Sequence, residues 1–221
     1  MPSQGEIRDG AGTGFELIET MRWEPDTGFV RLDRHLARLS SSAQTFGFAY
    51  DAERIGEALK EAVAGRDGAL RMRLVLSSSG KAEASAQPYQ PLPPHTVWKL
   101  KIAQTRLFSA DALLRHKTSR REAFVAARAE FEPREADEVI LLNERGELCE
   151  GTITNVFLDM GDDALLTPAL SCGLLPGVLR AELLAEGRAR EAVLKPADLI
   201  EAQRLFVGNS LRGLIPARMG E

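Results

Sequence analysis

A chain of 221 residues, 44% apolar and 27% charged, is long enough to bury one large core or two smaller ones. Its formal net charge of −4 argues against a dedicated nucleic-acid binder, which needs a basic face to neutralise phosphates. No apolar run reaches the roughly 18 residues of a membrane span, and the opening MPSQGEIRDGAGTG is polar and glycine-rich, unlike a secretory signal, so a cytoplasmic protein is expected.

The first half reads as strands and helices with clear periods. FELIETMRW (15–23) is rich in β-formers and runs into the turn EPDTG, which predicts a hairpin returning through FVRL. Asp33 is the expected cap of a helix over RHLARLSSSAQTFGF, where Leu36, Leu39, Ala43 and Phe46 recur at steps of three and four. DAERIGEALKEAVAG predicts a second helix with Ile55, Leu59 and Val63 on one stripe, Asp51 at its start and Gly65 at its end. RMRLVLS and TVWKLKIAQ alternate apolar with basic residues, the pattern of half-buried strands, and the Pro/Ser/Ala-rich stretch between them reads as loop.

The second half changes character. The helix EAFVAARAE leads to the apolar strand EVILLN, the turn ERG, and the short strands ELCEG and TNVFLDM. LPGVLRAELLAE reads as a helix entered through Pro176 and Gly177, and PADLIEAQ as a short helix before the strand RLFVG and the polar NSLRG. The whole predicts two α/β (α+β) lobes, a smaller one over 1–108 and a larger one over 109–221, jointed near Thr105 to Arg115, with a ligand between them. Cys149 and Cys172 are too few and too isolated for a disulfide framework. Neither they nor His35, His95 and His116 have metal-ligand spacing, so no metal is expected.

Three places could carry chemistry. Pro176 and Gly177 leave the N–H groups of Gly177, Val178 and Leu179 at a positive helix end where a phosphate could rest, although the same pattern serves any routine helix start. Arg38 and Ser210 are further candidate anion donors, set against solvated-helix and turn roles. Lys117 sits in RHKTSRREAF among Arg115, Arg120 and Arg121, whose charge would lower its pKa toward the neutral amine that chemistry requires. A basic run is more often a solvated face, and as a nucleic-acid patch this one lacks interleaved aromatics. Glu150 lies in LCEGTITN between apolar strands, either structural or poised to hold a protonated ring nitrogen.

Five of these segments, RHLARL, HKTSRR, NERGELCEGTITNVF, LSCGLLPGVLRAELL and GNSLRGLIPA, resemble in order and spacing the class IV aminotransferase family of fold-type IV pyridoxal-phosphate enzymes, over Phe15 to Ala217. FELIETMRW and RHLARLSSSAQTFGF most resemble its 4-amino-4-deoxychorismate lyase branch, in particular the lyase-like domain fused behind a chorismate-aminating component. The resemblance implies that Lys117 bonds the pyridoxal 5'-phosphate cofactor and shuttles the proton. By the same likeness Glu150 binds the pyridine nitrogen, and Arg38, the amides of Val178 and Leu179, and Ser210 hold the phosphate.

It further implies a homodimer and a functional link to the enzyme that aminates chorismate. Thr20, Arg22 and Thr152 are candidate contacts for a dicarboxylate amine, since such a substrate needs cationic and hydroxyl partners. The expected reaction is cleavage of 4-amino-4-deoxychorismate to 4-aminobenzoate and pyruvate. The alternatives are transamination of branched-chain or D-amino acids and a non-catalytic basic-patch domain. Two departures from the family stand out: few residues precede FELIETMRW, and Glu122 follows the lysine where branched-chain aminotransferases carry a tyrosine.

Overall fold

The computed structural model describes residues 14–220, so the polar opening stretch falls outside the described residues but for Gly14. The first part of the chain forms β1 (Leu17–Glu24), β2 (Gly28–Phe29), α1 (Leu32–Phe46), α2 (Ala52–Val63), β3 (Leu70–Leu76) and β4 (Ala82–Pro88). Its four strands lie in the order β2-β1-β3-β4. β1 and β3 are antiparallel with Leu17 opposite Leu76 and Thr20 opposite Arg73. Successive side chains of a strand alternate faces, so Leu17, Met21, Met72, Leu74 and Leu76 are all buried beneath the sheet. There Leu17, Leu74 and Leu76 meet Leu39 and Ala43 of α1 and Ile55 and Leu59 of α2, the stripes that the 3.6-residue period predicted. The other face carries Ile18, Thr20, Arg71 and Arg73 toward the cavity described below.

Three local expectations change. The N-cap of α1 is Arg31, in the left-handed region at φ 58°, and Asp33 lies exposed in the first turn instead of capping it. The helix starts early because Leu32 packs into the cores beside Phe29, leaving Asp33 to complement the positive helix end. The hairpin return is only two residues long, with Trp23 opposite Phe29, because α1 begins at once. The stretch expected as loop contains β4, an edge strand paired with β3 from Leu70–Pro88 to Leu76–Ala82. Its sequence AEASAQP alternates only small and polar residues and so carries little apolar signal. Asp51 does cap α2, accepting from the N–H groups of Glu53 and Arg54, and Gly65 follows the helix end with φ 68°.

The remainder forms β5 (Trp98–Leu107), α3 (Glu122–Ala129), β6 (Glu138–Asn143), β7 (Leu148–Gly151), β8 (Asn155–Asp159), β9 (Leu165–Pro168), α4 (Val178–Ala185), β10 (Ala189–Ala192), α5 (Pro196–Glu201), β11 (Arg204–Asn209) and β12 (Gly213–Met219). These strands make one eight-stranded sheet in the order β10-β9-β8-β11-β12-β5-β6-β7. The chain therefore crosses from one sheet to the other between Pro88 and Trp98, ahead of the joint read from the sequence. β6 is buried at every residue, as its unbroken apolar run requires of a strand parallel to β5 and covered on both faces. β9 and β10 are too short to show a period. β12 hides behind Pro216, which pairs with β11 before β5 joins on the other side at Ala217. Cys149 and Cys172 are buried free thiols.

Glu138, at the start of β6, is an unforeseen organiser of the fold. Its buried carboxylate accepts from the N–H and hydroxyl of Thr152 (3.0 and 2.6 Å), from the N–H groups of Val139 (2.9 Å) and Ile153 (3.1 Å), and from the Thr154 hydroxyl (2.8 Å). The turn after Glu150 thus takes its shape from an acid, and a side chain at Gly151 would collide with both Thr154 and that acid. Glu138→Gln places an amide donor among these donors and is expected to cost about 1–3 kcal/mol. Urea unfolding of the variant against the parent measures it; an unchanged midpoint would show that the turn holds its shape without the carboxylate.

Candidate active site

Lys117 reaches the space between the two sheets because its backbone is stitched to the free edge of β1. The Ile18 N–H donates to the Lys117 carbonyl (2.8 Å), the Ser119 N–H to the Glu16 carbonyl (2.9 Å), and the Glu16 N–H to the Ser119 hydroxyl (2.9 Å). Leu17 and Thr118 form an antiparallel bridge. On the other side His116 bonds the Ser42 hydroxyl (2.8 Å) and packs edge-on against Phe46. The segment is therefore held by strand β1 and helix α1 together. The amine is buried, which pushes its pKa from 10.5 down to about 8, with Arg38 and Arg121 adding to the shift and Glu19 and Glu150 opposing it. Of the three arginines expected to supply this charge, Arg121 does so, while Arg38 takes the place of Arg115 and Arg120.

Glu150 enters the same space from β7, fixed by the pairing of that strand with Leu141 of β6. Burial raises its carboxyl to about 8, against the Leu175 N–H that donates to Oε1 (3.0 Å) and the charges of Lys117 and Arg121. Lys117 and Glu150 both line a cavity of about 300 Å³. They also line a second hollow of about 230 Å³ on the Phe108 and Phe124 side. Two opposite ionisable groups thus share one site, and neither forms a salt bridge among the described residues.

A third group of donors closes the end of the cavity at α4. Gly177 is the N-cap of α4 and no side chain caps that terminus, so the first amides, including those of Val178 and Leu179, have no intrahelical acceptor. Gly177 and Val178 line the cavity, while Leu179 sends its side chain into the core with Phe157 and Leu183. A Cβ at Gly177 would overlap Asn155 Oδ1, so glycine here permits close approach. Arg38 is clamped in place, its Nε and Nη2 on the Glu19 carboxylate (2.8 and 2.6 Å) and its Nη1 on the Pro176 carbonyl (3.2 Å), leaving one N–H free on each terminal nitrogen. Ser210 Oγ lies 2.8 Å from His35 Nε2, and His35 Nδ1 lies 2.6 Å from Glu19. Arg31 pairs with Glu182 of α4 (2.7 Å) and donates to the Ser210 carbonyl (3.2 Å), tying α1 to both sides of this end.

The family model for amino-transferase class IV matches residues 16–219. The chain belongs to that family. A crystal structure from Mesorhizobium loti, described as a "putative amino-acid aminotransferase", is 62% identical, covers 93% of this chain and 99% of its own, and superposes with a TM-score of 0.91. The "putative aminodeoxychorismate lyase" of Schizosaccharomyces pombe is 29% identical over 89% of this chain and 86% of its own length. The 4-amino-4-deoxychorismate lyase of Pseudomonas aeruginosa is 26% identical, with a TM-score of 0.79 over 99% of this chain and 88% of its own. The class IV aminotransferase family comprises pyridoxal-phosphate-dependent aminotransferases and lyases, so this protein is an enzyme of that kind.

Within this class IV chain the expected site residues divide. Lys117, Glu150, Arg38, Val178, Ser210, Thr20 and Thr152 line one cavity; Leu179 does not line it, and its side chain lies in the core. Arg22 is not among the lining residues: it pairs with Glu24 (3.0 Å) and stands over the Tyr89 ring (5.5 Å). Sequence reasoning missed Glu19 and His35, which hold Arg38 and Ser210, and it missed Arg71, Arg73 and Arg212, which line the cavity with Arg121, an arginine foreseen only as a charge near Lys117. A usable signal existed for Glu19, a lone acid on the apolar face of an alternating strand. Among the described residues no cluster of His, Cys, Asp or Glu could hold a metal, and no helix is long and apolar enough to cross a membrane.

The two shifted groups give the cofactor-free protein a definite pH dependence. Glu150 binds its proton more tightly folded than unfolded, so its contribution is lost as pH rises from about 4.5 through about 8. Lys117 binds its proton less tightly folded than unfolded, so its contribution returns as pH rises from about 8 to about 10.5. Denaturant stability relative to Glu150→Gln is expected to fall over the first window, and relative to Lys117→Met to rise over the second. Parallel curves in both comparisons would contradict the burial of these charges.

Proposed function

We propose that this cavity binds pyridoxal 5'-phosphate and that the enzyme is a lyase cleaving 4-amino-4-deoxychorismate to 4-aminobenzoate and pyruvate. The observation that carries the cofactor assignment is a donor set that fits the group at three points: a buried amine for its aldehyde, a buried acid for its ring nitrogen, and uncapped amides with a hydroxyl and a guanidinium for its phosphate. When bound, the cofactor supplies an electrophilic carbon for the substrate amine and a ring that takes up negative charge.

Each residue then has a task. Val178 and Leu179 N–H groups, the free N–H groups of Arg38 and the Ser210 hydroxyl hold the phosphate. Glu150, whose environment favours sharing a proton, keeps the ring nitrogen protonated. Lys117, with a pKa near 8, is available as a neutral amine close to neutral pH, and takes the proton from the substrate carbon that bears nitrogen. As that proton leaves, the bond from the ring to the enolpyruvyl oxygen breaks, and Lys117 returns a proton to the departing three-carbon unit, which leaves as pyruvate. Thr20 and Thr152 border the space the substrate occupies. Assembly as a homodimer and work beside a chorismate-aminating enzyme belong to the same reading.

The likeness to the lyases of Schizosaccharomyces pombe and Pseudomonas aeruginosa supports this substrate. The Mesorhizobium loti likeness supports a second reading, transamination between an amino acid and a 2-oxo acid with the same residues. The purified protein is expected to absorb in the visible when loaded with pyridoxal phosphate, and borohydride is expected to fix the cofactor on Lys117. With substrate generated in place it should release 4-aminobenzoate and pyruvate in equal amounts, and Lys117→Ala should reduce that rate by about 10²–10⁴-fold. Amino transfer to a 2-oxo acid without release of 4-aminobenzoate would replace the lyase by the transaminase.

A further inference from the structure

The Ser210 hydroxyl is already engaged before any ligand arrives. It lies 2.8 Å from His35 Nε2, and His35 Nδ1 lies 2.6 Å from Glu19 Oε2; Ser210 is 6% exposed, His35 and Glu19 1% each. The same carboxylate accepts from Arg38 Nε at Oε1 (2.8 Å) and from Arg38 Nη2 at Oε2 (2.6 Å). Burial would raise the Glu19 carboxyl, but the Arg38 charge and the bonds from His35 and Arg38 bring it to about 2, so it is ionised and can only accept. His35 Nδ1 therefore carries a hydrogen whatever the charge of the ring.

That charge decides what Ser210 can do. In the neutral ring Nε2 is bare, so the Ser210 O–H is spent on it and Oγ turns a lone pair to the cavity. A phosphate dianion has only acceptor oxygens and gains nothing from that lone pair. In the doubly protonated ring Nε2–H donates to Oγ, and the Ser210 O–H is released toward the cavity that Ser210, His35 and Arg38 all line. The hydroxyl can bond a dianion only when the ring is charged.

The charges that face this ring are few and of both signs. Glu19 on β1 favours an imidazolium and Arg38 on α1 opposes it. Arg31, which caps α1, is taken up by Glu182 of α4, on which Arg34 also acts. Lys117, held on the edge of β1, acts on the Glu19 side and is itself faced by Glu150. A dianion at Ser210 adds negative charge beside the ring and favours its protonated form.

We infer that His35 is a positioning residue: it takes a proton from solvent as the cofactor's phosphate arrives and, by donating through Nε2, turns the Ser210 hydroxyl onto the dianion. This rests on the reading that the phosphate sits between α4, Arg38 and Ser210. The bond from Ser210 O–H to Nε2 is exchanged for one from Nε2–H to Oγ and one from O–H to phosphate oxygen, and the added proton stays on the ring. Phosphate binding is then tighter at lower pH for as long as the ester remains a dianion.

The probe is pyridoxine 5'-phosphate, which has no aldehyde to react with Lys117, with pyridoxine as the phosphate-free control. Both are titrated calorimetrically into the cofactor-free full chain from about pH 7 to about pH 9, above the second ionisation of a phosphate monoester near 6, in buffers of unlike ionisation enthalpy. Lys117 and Glu150 act on the ring of either ligand, so the difference between the two ligands reports the phosphate end. The ester is expected to take up about one proton more than the alcohol, and its excess affinity to fall by up to about tenfold per pH unit. In His35→Gln the amide must donate to Glu19 and offers only its oxygen to Ser210. That variant should bind the ester about 10-fold more weakly at pH 7, without the extra uptake. Ser210→Ala should lose the same uptake, and it leaves the contacts of Glu19 intact should thermal melts show His35→Gln unfolded. Equal uptake for ester and alcohol, or an excess that survives either substitution, would overturn the inference; survival in His35→Gln would put the proton on the phosphate itself. If the ester binds no more tightly than the alcohol even at pH 7, the phosphate reading falls and the inference with it.

Discussion

The bond from the Ile18 N–H to the Lys117 carbonyl is the contact on which the rest of the site depends. It extends the edge of β1 by a segment from the far side of the molecule and so fixes where the lysine stands. The same strand, by its alternation, turns Glu19 toward α1 and Ile18 and Thr20 toward the cavity. One strand therefore sets the position of the Lys117 amine, of Arg38 and of the Thr20 hydroxyl. A register slip of one residue would exchange the two faces and scatter all three.

Glu19 is the element of this strand that breaks the apolar pattern, and its energetics explain why it is tolerated. Burial alone would raise its carboxyl, yet the Arg38 charge and the bonds from His35 and Arg38 bring it down to about 2. A buried acid with complete partners is a rigid anchor, whereas one missing a partner is strongly destabilising. Lys117 and Glu150 show the opposite regime. Each is driven by desolvation toward its neutral form, because the walls offer too few partners to either charge. Structural acids and reactive groups in this cleft are separated by how completely their hydrogen-bonding capacity is met.

Solved structures named as a lyase and as an aminotransferase both superpose on this chain, so the fold leaves the reaction type open. The cavity lining also includes Arg71 and Arg73 on β3, Arg121 before α3 and Arg212 before β12, which form no ion pair among the described residues. The far end, with the amides of α4, Arg38 and Ser210, is chemistry that any enzyme using a phosphorylated cofactor could share.

The sequence by itself determined the helices α1, α2 and α4, the strands β1, β3, β5 and β6, and the family. These rest on local periodicity, on cap and turn residues, and on motifs whose spacing along the chain is fixed. It also singled out Lys117, Glu150, Arg38 and Ser210 as candidates. Only the tertiary structure brought them to one cavity, revealed β4 beneath a polar alternation, moved the start of α1 to Leu32 with Arg31 as its cap, and showed that Arg22 is drawn to Glu24 and Tyr89 while Arg71, opposite it on the same face of the sheet, lines the cavity. Which of two arginines on one face lines a cavity depends on the partners that hold each side chain and on what packs above the sheet. Those neighbours include residues far along the chain, such as Tyr89 for Arg22, and no local pattern records them.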